Sequence, residues 1–256
     1  MSSARVIPCL LLQGRGLVKT ARFRNPRYVG DPINAVRIFN DKGVDELVFL
    51  DISATTDGRE PNFALLSDIA AEAFMPFAYG GGVRSVEQAR RLVRIGVEKI
   101  VVNSAAVDRP EFVNELATVL GSQSVVVAID AHRGFLGRYE VTSHSGTRRR
   151  GLDPVDWARR AEALGAGEIL LTSIERDGQM SGYDLDLVRR VSSAVSIPLV
   201  ACGGAGTLTH MSDAVHTGGA SAVAAGSMFV YHGKHRAVLI TYPSRDEISS
   251  IAEGIQ

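Results

Sequence analysis

Short apolar runs recur along the chain, and a segment with helical periodicity follows each of them. The runs are rich in Val, Ile and Leu and nearly continuous, which is typical of parallel strands covered on both faces. In the segments that follow, apolar residues return every three or four positions, which predicts amphipathic helices. The eight predicted strands are Val6–Leu12, Glu46–Ile52, Pro76–Tyr79, Lys99–Val102, Ser124–Asp130, Glu168–Ser173, Pro198–Cys202 and Ala222–Ala225.

This alternation predicts a single α/β domain over residues 1–256, a (β/α)8 TIM barrel. Glycine-rich strand ends are spread along the chain rather than concentrated after the first strand, which favours a closed barrel over a doubly wound open sheet. Two insertions follow strands on the face where such barrels keep their active sites. Gln13–Gly30 predicts a long loop, and Gly134–Gly151, with alternating apolar residues before Ser145-Gly146, predicts a small hairpin.

Polar residues before the periodic segments predict where helices begin, because a side-chain oxygen can accept a free amide of the first turn. The predicted start signals are Asp31-Pro32, Ser85, Asp108-Arg109-Pro110, Asp153-Pro154 and Asp184, and Gly43, Gly96 and Gly165 are predicted to end helices. Trp157 and Phe229 are interpreted as core or interface anchors.

Charge and cysteine content narrow the classes of function. Lys and Arg number 28 against 28 Asp and Glu, so no overall field favours nucleic acid or an acidic membrane as the main partner. Cys9 and Cys202 lie in apolar runs, which predicts buried, reduced thiols. No apolar stretch approaches the roughly 18 residues of a membrane span. We therefore expect a cytoplasmic protein, and no cofactor motif stands out.

The two halves of the chain resemble one another. Glu46 and Glu168 stand 122 positions apart, as do Gly81 and Gly203, and the segments around each pair match. A third match at the same offset joins the segments that begin at Ser104 and Gly226. Three blocks at one spacing predict a barrel made of two half-barrels.

Each half offers a candidate phosphate cradle. A glycine-rich strand end lets backbone amides approach an anion closely, and the next strand end carries small polar residues. The first cradle comprises Gly81, Gly82, Asn103 and Ser104, and the second comprises Gly203, Gly204, Gly226 and Ser227. Any one Gly-Gly pair alone is more often a tight turn, but two copies on one barrel face predict a ligand with two phosphate groups.

Several segments together carry a specific resemblance. They are Asp45–Ile52, Gly80–Gly82, Asn103–Val107, Gly121–Asp130, Gly165–Ile174, Arg176–Gly178 and Cys202–Gly206. They resemble the HisF family, the cyclase subunit of imidazole glycerol phosphate synthase. The resemblance implies a barrel that receives ammonia from a HisH-type glutaminase on one face and uses it on the opposite face.

The resemblance also assigns candidate site residues. In that family two aspartates perform acid/base chemistry; Asp130 matches the second, whereas Leu11 occupies the position of the first. A leucine cannot carry a proton, and loss of one such group costs about 10²–10⁴ in rate. Lys19, Asp177 and Gly178 match positions near substrate phosphate, and Thr172 and Ser173 are expected to line the upper barrel.

Four charged residues begin strands: Arg5, Glu46, Lys99 and Glu168. Each alone is simply a polar strand end, but together they match the family's gate at the mouth of an ammonia tunnel. The interior above them, with Val48, Val101, Ala128 and Leu170, is expected to be small and apolar. Such an interior suits neutral ammonia and excludes an unpaired ammonium ion, which is costly to bury.

The segment from Phe229 to Pro243 departs from the usual HisF ending. Together with Leu10–Thr20 it resembles HisF-like paralogues of bacterial surface-polysaccharide clusters. In those systems a HisF/HisH-type pair is thought to supply ammonia to an ATP-dependent enzyme that builds an acetamidino group on a nucleotide-linked sugar. A metal site at His232 and His235 is the weaker interpretation, because no carboxylate or thiol pair stands near them.

Three functions therefore compete at the level of sequence: ammonia delivery for sugar amidination, cyclisation in histidine biosynthesis, and a non-catalytic phosphosugar-binding activator of a glutaminase. For Asp130 itself two interpretations stay open, a general acid beneath the ligand or a strand-end cap that accepts loop amides.

Overall fold

Eight parallel strands form a closed barrel in the computed structural model, which describes residues 4–255. The strands are β1 (Arg5–Gln13), β2 (Leu47–Asp51), β3 (Phe77–Gly80), β4 (Lys99–Val102), β5 (Val125–Arg133), β6 (Glu168–Ser173), β7 (Leu199–Cys202) and β8 (Ala222–Ala225). Each strand pairs in parallel with the next, and β8 pairs with β1, for example Ile7 with Ala224. The predicted (β/α)8 fold is confirmed.

Eight main helices cover the barrel. They are α1 (Pro32–Asp41), α2 (Phe63–Glu72), α3 (Val86–Ile95), α4 (Glu111–Leu120), α5 (Pro154–Ala163), α6 (Leu185–Ser192), α7 (Leu208–His216) and α8 (Arg245–Glu253). Short helices also occur at Ser104–Asp108 and Ser227–Val230, after β4 and β8. The predicted caps Asp31, Ser85, Asp153 and Asp184 each accept a backbone amide of the first turn, and Gly43, Gly96 and Gly165 follow helix ends in left-handed conformation.

A helix begins directly after the start signal Asp108-Arg109-Pro110, but the capping role predicted for Asp108 is wrong. Asp108 is the last residue of the short helix Ser104–Asp108, and α4 begins after Pro110 without a side-chain cap. The carboxylate of Asp108 is used in an ion pair with Arg150, 2.6 Å away. The side chain that the local sequence pattern assigned to the helix start therefore makes a tertiary contact instead.

Both insertions form antiparallel hairpins. After β1, Gly16–Ala21 and Arg24–Gly30 are paired strands, where a long loop was predicted. The first of them continues on β1, with Leu11 opposite Val18, so the sheet supplies backbone partners that the sequence alone does not reveal. After β5, the predicted hairpin is present as Tyr139–Ser143 and Arg148–Arg149. The strand β5 starts one residue later than predicted, because Ser122–Ser124 form a 3₁₀ turn, and it extends to Arg133.

Two apolar layers stabilise the barrel. Side chains that point outward from the strands pack against the helices, and Trp157 and Phe229 lie in this outer layer. Side chains that point inward fill the lumen, because neighbouring residues of a strand face opposite sides. The lumen cluster is Ile7, Cys9, Leu11, Val18, Val48, Ala78, Val101, Val126, Ala128, Leu170, Val200, Ala222 and Ala224. Within residues 4–255, every helix is too short or too polar to cross a membrane.

Candidate active site and barrel lumen

A cavity of about 150 Å³ opens at the carboxyl ends of the strands. Its wall contains every residue that the sequence predicted for substrate and phosphate binding: Lys19, Gly81, Gly82, Asn103, Ser104, Asp130, Asp177, Gly178, Gly203, Gly204, Gly226 and Ser227. Residues far apart in sequence meet here because the carboxyl ends of all eight strands face the same side of the barrel. The tertiary structure thus brings the predicted site together; the roles of its residues stay predictions.

The two glycine-rich strand ends have backbones that other residues cannot easily follow. Gly81 has φ +122°, and a Cβ there would lie 2.5 Å from the carbonyl oxygen of Asp51. Gly204 has φ +119°, and a Cβ there would lie 2.2 Å from the carbonyl oxygen of Gly182. Glycine is therefore required at both positions, because the neighbouring backbone leaves no room for a side chain.

Lys19 lies against the second cradle. A Cβ on Gly226 would lie 2.2 Å from Lys19 Nζ, so this glycine leaves the room that the ammonium group occupies. The lysine side chain is buried, and no carboxylate of the described residues lies within 4.0 Å of Nζ. Beside it, Ser227 Oγ is buried and has no hydrogen-bond partner within residues 4–255. A cation and a free hydroxyl at one place suit a bound anion.

Asp130 is a titratable group of the cavity wall whose pKa is shifted. Asn103 Nδ2 donates to Asp130 Oδ2 over 2.8 Å. Burial and, second, the charge of Asp177 raise the pKa of Asp130 to about 7, although the bond from Asn103 acts in the opposite direction. A carboxyl group that titrates near neutrality can both give and accept a proton. In the described chain no backbone amide donates to this carboxylate, so the cap interpretation lacks its expected contact.

Leu11 contributes to the wall of the same cavity and belongs to the lumen cluster. Both positions to which the resemblance assigns a catalytic aspartate therefore line the cavity. One carries the carboxyl group of Asp130, and the other carries the hydrocarbon side chain of Leu11. Thr172 also lines the cavity, as expected. Ser173 does not line the cavity. Neighbouring side chains of a strand point to opposite sides, so Ser173 points away from the cavity that Thr172 faces, and its Oγ is buried.

Asp177 and Gly178 hold the hairpin that follows β1. Thr20 Oγ1 donates to Asp177 Oδ2 over 2.8 Å, and the amide of Phe23 donates to the same oxygen over 3.3 Å. The amide of Arg22 donates to the carbonyl oxygen of Asp177 over 2.9 Å. These bonds close the hairpin onto the loop after β6, so the hairpin forms one side of the cavity.

Sequence reasoning missed the contributions of Thr20, Phe23 and Asp51 to the cavity wall. Asp51 Oδ1 accepts the amides of Ser53 and Ala54, both at 3.0 Å, and so shapes the loop after β2. Its place at the carboxyl end of a strand was an available signal for Asp51. Thr20 and Phe23 gave no such signal, because their segment was interpreted as a loop.

The thiols of the chain also face this region. Cys9 is buried as predicted, whereas Cys202 is half-buried, and both line the cavity. Cys202 ends its strand at the cavity floor, which explains why it is more accessible than an apolar run suggests. Within residues 4–255, no three His, Cys, Asp or Glu side chains are grouped to hold a metal ion, and His232 and His235 lie on an exposed two-stranded segment.

The opposite end of the barrel is closed by four charged side chains. Arg5 bonds to Glu168 and, over 2.6 Å, to Glu46. Lys99 Nζ lies 2.7 Å from Glu46 and 3.0 Å from Glu168. Cations and anions therefore alternate around a ring, which we name the lower rim. Burial lowers the pKa of the Arg5 guanidinium, but the bonds and charges of the two glutamates outweigh burial and raise the pKa overall.

A small apolar chamber lies directly above the lower rim. It measures about 10 Å³ and is lined by Glu46, Glu168 and seven apolar residues, among them Val48, Val101 and Leu170. A space of this size accommodates about one water-sized molecule. Val101 and Leu170 also line the upper cavity. Ala128 lines the upper cavity but not the chamber. The two spaces are thus neighbours in one barrel, separated by small apolar side chains.

These features define a class: a parallel (β/α)8 barrel with two glycine-rich strand ends at one end and a ring of alternating charges at the other. Residues 5–236 match the family model described as histidine biosynthesis protein. The chain is 50% identical over 248 residues to a Pseudomonas aeruginosa protein named "Putative imidazole glycerol phosphate synthase subunit hisF2", covering 97% of this chain and 99% of that one. The chain belongs to the histidine biosynthesis family, and its relatives are HisF-like.

Other relatives carry similar names. A Leptospira interrogans protein named "Putative imidazole glycerol phosphate synthase subunit HisF" is 50% identical over 248 residues, covering 96% of this chain and 98% of the relative. A Vibrio vulnificus protein with the corresponding name ending in hisF3 is 44% identical over 248 residues, covering 96% and 95%. The similarity therefore extends over nearly the whole chain.

Proposed function

We propose that the protein is the synthase subunit of a glutamine amidotransferase, which receives ammonia from a HisH-like glutaminase at the lower rim and passes it through the lumen. Its product is ammonia delivered at the upper cavity, for an ATP-dependent enzyme that builds an acetamidino group on a nucleotide-linked surface sugar. The observation that carries the proposal is an intact charged rim and apolar lumen beneath a site in which Leu11 stands where an acid/base group is expected.

The lower rim and the lumen together select a neutral molecule. An ammonium ion that moved past Glu46 and Glu168 into the apolar lumen would leave its counterions behind, and burial of an unpaired charge is costly. Neutral ammonia is small enough for the chamber and needs no counterion. Passage requires the ring to open, and Lys99 is the flexible cation of the ring, bonded to both glutamates.

Leu11 separates this proposal from ordinary cyclisation. In a two-group mechanism one residue takes a proton while the other gives one, and a leucine does neither. Leu11 packs into the lumen cluster and presents only hydrocarbon to the cavity, so this position offers no proton carrier. A barrel that still conducts ammonia but lacks half of its proton chemistry suits delivery to another enzyme.

A second candidate function is cyclisation as in histidine biosynthesis. The specific observation in its favour is Asp130, whose pKa of about 7 and position between the two cradles suit a general acid that acts alone or with water. Under this hypothesis the purified protein converts the ring-opened aminoimidazole ribonucleotide when it is given an ammonium salt.

The test compares wild type with Leu11→Asp in the ammonium-driven cyclisation assay. We expect no turnover by wild type and measurable turnover by the variant, because the missing proton carrier is restored. In parallel, wild type with its glutaminase and the sugar-amidating enzyme should form the amidino product from glutamine. Cyclisation by the wild type at the rate of an ordinary HisF would overturn the proposal in favour of the second candidate.

A further inference from the structure

Positive charge is concentrated on two hairpins around the upper cavity, although the whole chain is neutral. Residues 14–30 contain five cationic residues and no acidic one, and residues 131–152 contain five arginines against the single acid Glu140. We name these segments the mouth hairpins. Acidic residues of neighbouring loops, such as Asp108 and Glu175, lie beside these segments, but the segments themselves carry ten cationic residues against one acidic residue.

The mouth hairpins meet above the cavity. A Cβ on Gly146 would lie 3.0 Å from the ring of Phe23, so the two segments are in contact. Phe23 and Ser145 both line the cavity. A partner that covers this end of the barrel therefore contacts both hairpins at once and closes the cavity between them.

Most of these charges are free to bind a partner. In the part of the chain that the structure describes, seven exposed arginines of the mouth hairpins have no carboxylate within 4.0 Å: Arg22, Arg24, Arg27, Arg133, Arg138, Arg148 and Arg149. By contrast, Arg150 is held by Asp108 at 2.6 Å. Exposed like charges that remain unpaired raise the positive potential of this surface and attract an acidic surface.

Large apolar side chains stand among the arginines. Tyr28 is 69% exposed, and the turn Gly134–Gly137 presents Phe135, fully exposed, and Leu136, 83% exposed. Aromatic residues and arginine are the residue types enriched at protein interfaces, where they act as anchors. A phenylalanine beside a leucine at a hairpin tip fits an apolar pocket of a protein better than the flat face of a nucleic-acid base.

We propose that the mouth hairpins are the docking surface for a protein with an acidic face and an apolar pocket, namely the enzyme that consumes the ammonia. This inference rests on the proposed function, because the cavity between the hairpins is the exit of the lumen. A partner seated over that exit receives ammonia before water can protonate it. Electrostatic attraction speeds the encounter, and Phe135 and Leu136 anchor the complex.

The test measures binding of the purified ATP-dependent sugar-amidating enzyme to the complex of this protein with its glutaminase. One variant reverses three exposed charges, Arg27→Glu with Arg138→Glu and Arg148→Glu, and a second removes the anchors, Phe135→Ser with Leu136→Ser. Arg90→Glu, at an exposed position of α3, is the matched control. Circular dichroism and binding of the glutaminase check that each variant is folded.

We expect the dissociation constant to rise at least tenfold in each hairpin variant and less than twofold in the control. The wild-type affinity should also fall at higher salt, since screening weakens charge attraction. Wild type that fails to bind, or hairpin variants that bind as the control does, would overturn the docking surface. The docking surface would also be overturned if wild type bound mixed tRNA more tightly than the enzyme and the triple variant abolished the binding of tRNA.

Amidination assays separate this inference from the proposed function. Glutamine-driven product formation should fall in the hairpin variants, whereas ammonium-driven formation by the free enzyme should stay the same. If wild type supports glutamine-driven amidination and the variants change nothing, the docking surface is wrong and the proposed function stands. If wild type gives no such product but binding follows the expected pattern, the proposed function is wrong and the docking surface stands.

Discussion

Asp130 and Leu11 line the same cavity, but the side chain of Asp130 can carry a proton and that of Leu11 cannot. The carboxyl of Asp130 is buried beside Asn103, and its folded-state pKa of about 7 lies above the ordinary value of 3.8. Between about pH 4 and 7 the folded protein therefore binds more protons at this site than the unfolded chain. The group accordingly lowers the free energy of unfolding as the pH rises through that window.

Asp130→Asn removes this titration and keeps the size of the side chain. We expect the free energy of unfolding of the variant to exceed that of wild type by about 1–4 kcal/mol at pH 8.5 and to be nearly equal to it at pH 4. Denaturant unfolding of both proteins across this pH range measures the difference. A constant difference, or a loss of stability at pH 8.5, would indicate that Asp130 serves as a structural cap.

Gly204 is a second position where one residue decides the site. Gly204→Ala places a methyl group against the carbonyl oxygen of Gly182 at φ +119°. We expect the free energy of unfolding to fall by about 2–4 kcal/mol, since backbone strain and overpacking combine. Gly43→Ala is the control, because Gly43 also has positive φ (+66°) but an added Cβ meets nothing within 4 Å. Equal losses in the two variants would show that crowding at the cradle is unimportant.

At the scale of elements, the lower rim couples four strands through one ring of charges. Lys99→Ala leaves Glu46 and Glu168 on the ring with Arg5 alone. We expect ammonia released into solvent per glutamine hydrolysed to rise several-fold and glutamine-driven product to fall, because the entrance is no longer closed by a movable cation. Lys42→Ala, exposed at the end of α1, is the control. Unchanged coupling in Lys99→Ala would favour the non-catalytic activator.

The hairpin after β1 depends on Asp177 for its closed position. Thr20→Val removes the hydroxyl that donates to Asp177 Oδ2 and keeps the shape of the side chain. A hydrogen bond to a charged group contributes about 1.5–3 kcal/mol, so amide hydrogen exchange of residues 20–24 should accelerate about tenfold or more. Thr147→Val, whose hydroxyl bonds only within the other hairpin, should leave those amides unchanged. Exchange that does not differ between the variants would show that the Thr20 hydroxyl does not hold the hairpin.

At the scale of the whole molecule, ligand binding and stability are linked. An anion that binds the cradles of the folded protein only must raise the melting temperature. At about ten times its dissociation constant, inorganic phosphate should raise that temperature by about 3–6 °C, against a chloride control of equal ionic strength. Lys19→Met should reduce the rise, whereas Lys42→Met should not. Equal rises in wild type and both variants would place the bound phosphate outside the second cradle.

The sequence by itself determined the order of elements and most of their bounds, because burial of a parallel sheet on both faces leaves a clear apolar pattern. The repeat at an offset of 122 also located two matching glycine-rich strand ends, since glycine is required wherever the backbone approaches its neighbours as closely as at Gly81 and Gly204. The strand-initial charges were visible too, although each one alone had an ordinary explanation.

Only the tertiary structure decided which of these residues share an environment. Burial next to Asp177 raises the pKa of Asp130, and Asp177 lies 47 positions further along the chain. The closed ring of Arg5, Glu46, Lys99 and Glu168 exists because the barrel brings four strand starts together. The hairpin at residues 16–30 escaped prediction for the same reason: its backbone partners belong to β1 and its anchors to the loop after β6. The sequence pattern of a segment indicates which of its residues are buried, whereas closure of the barrel decides which residues of other segments they contact.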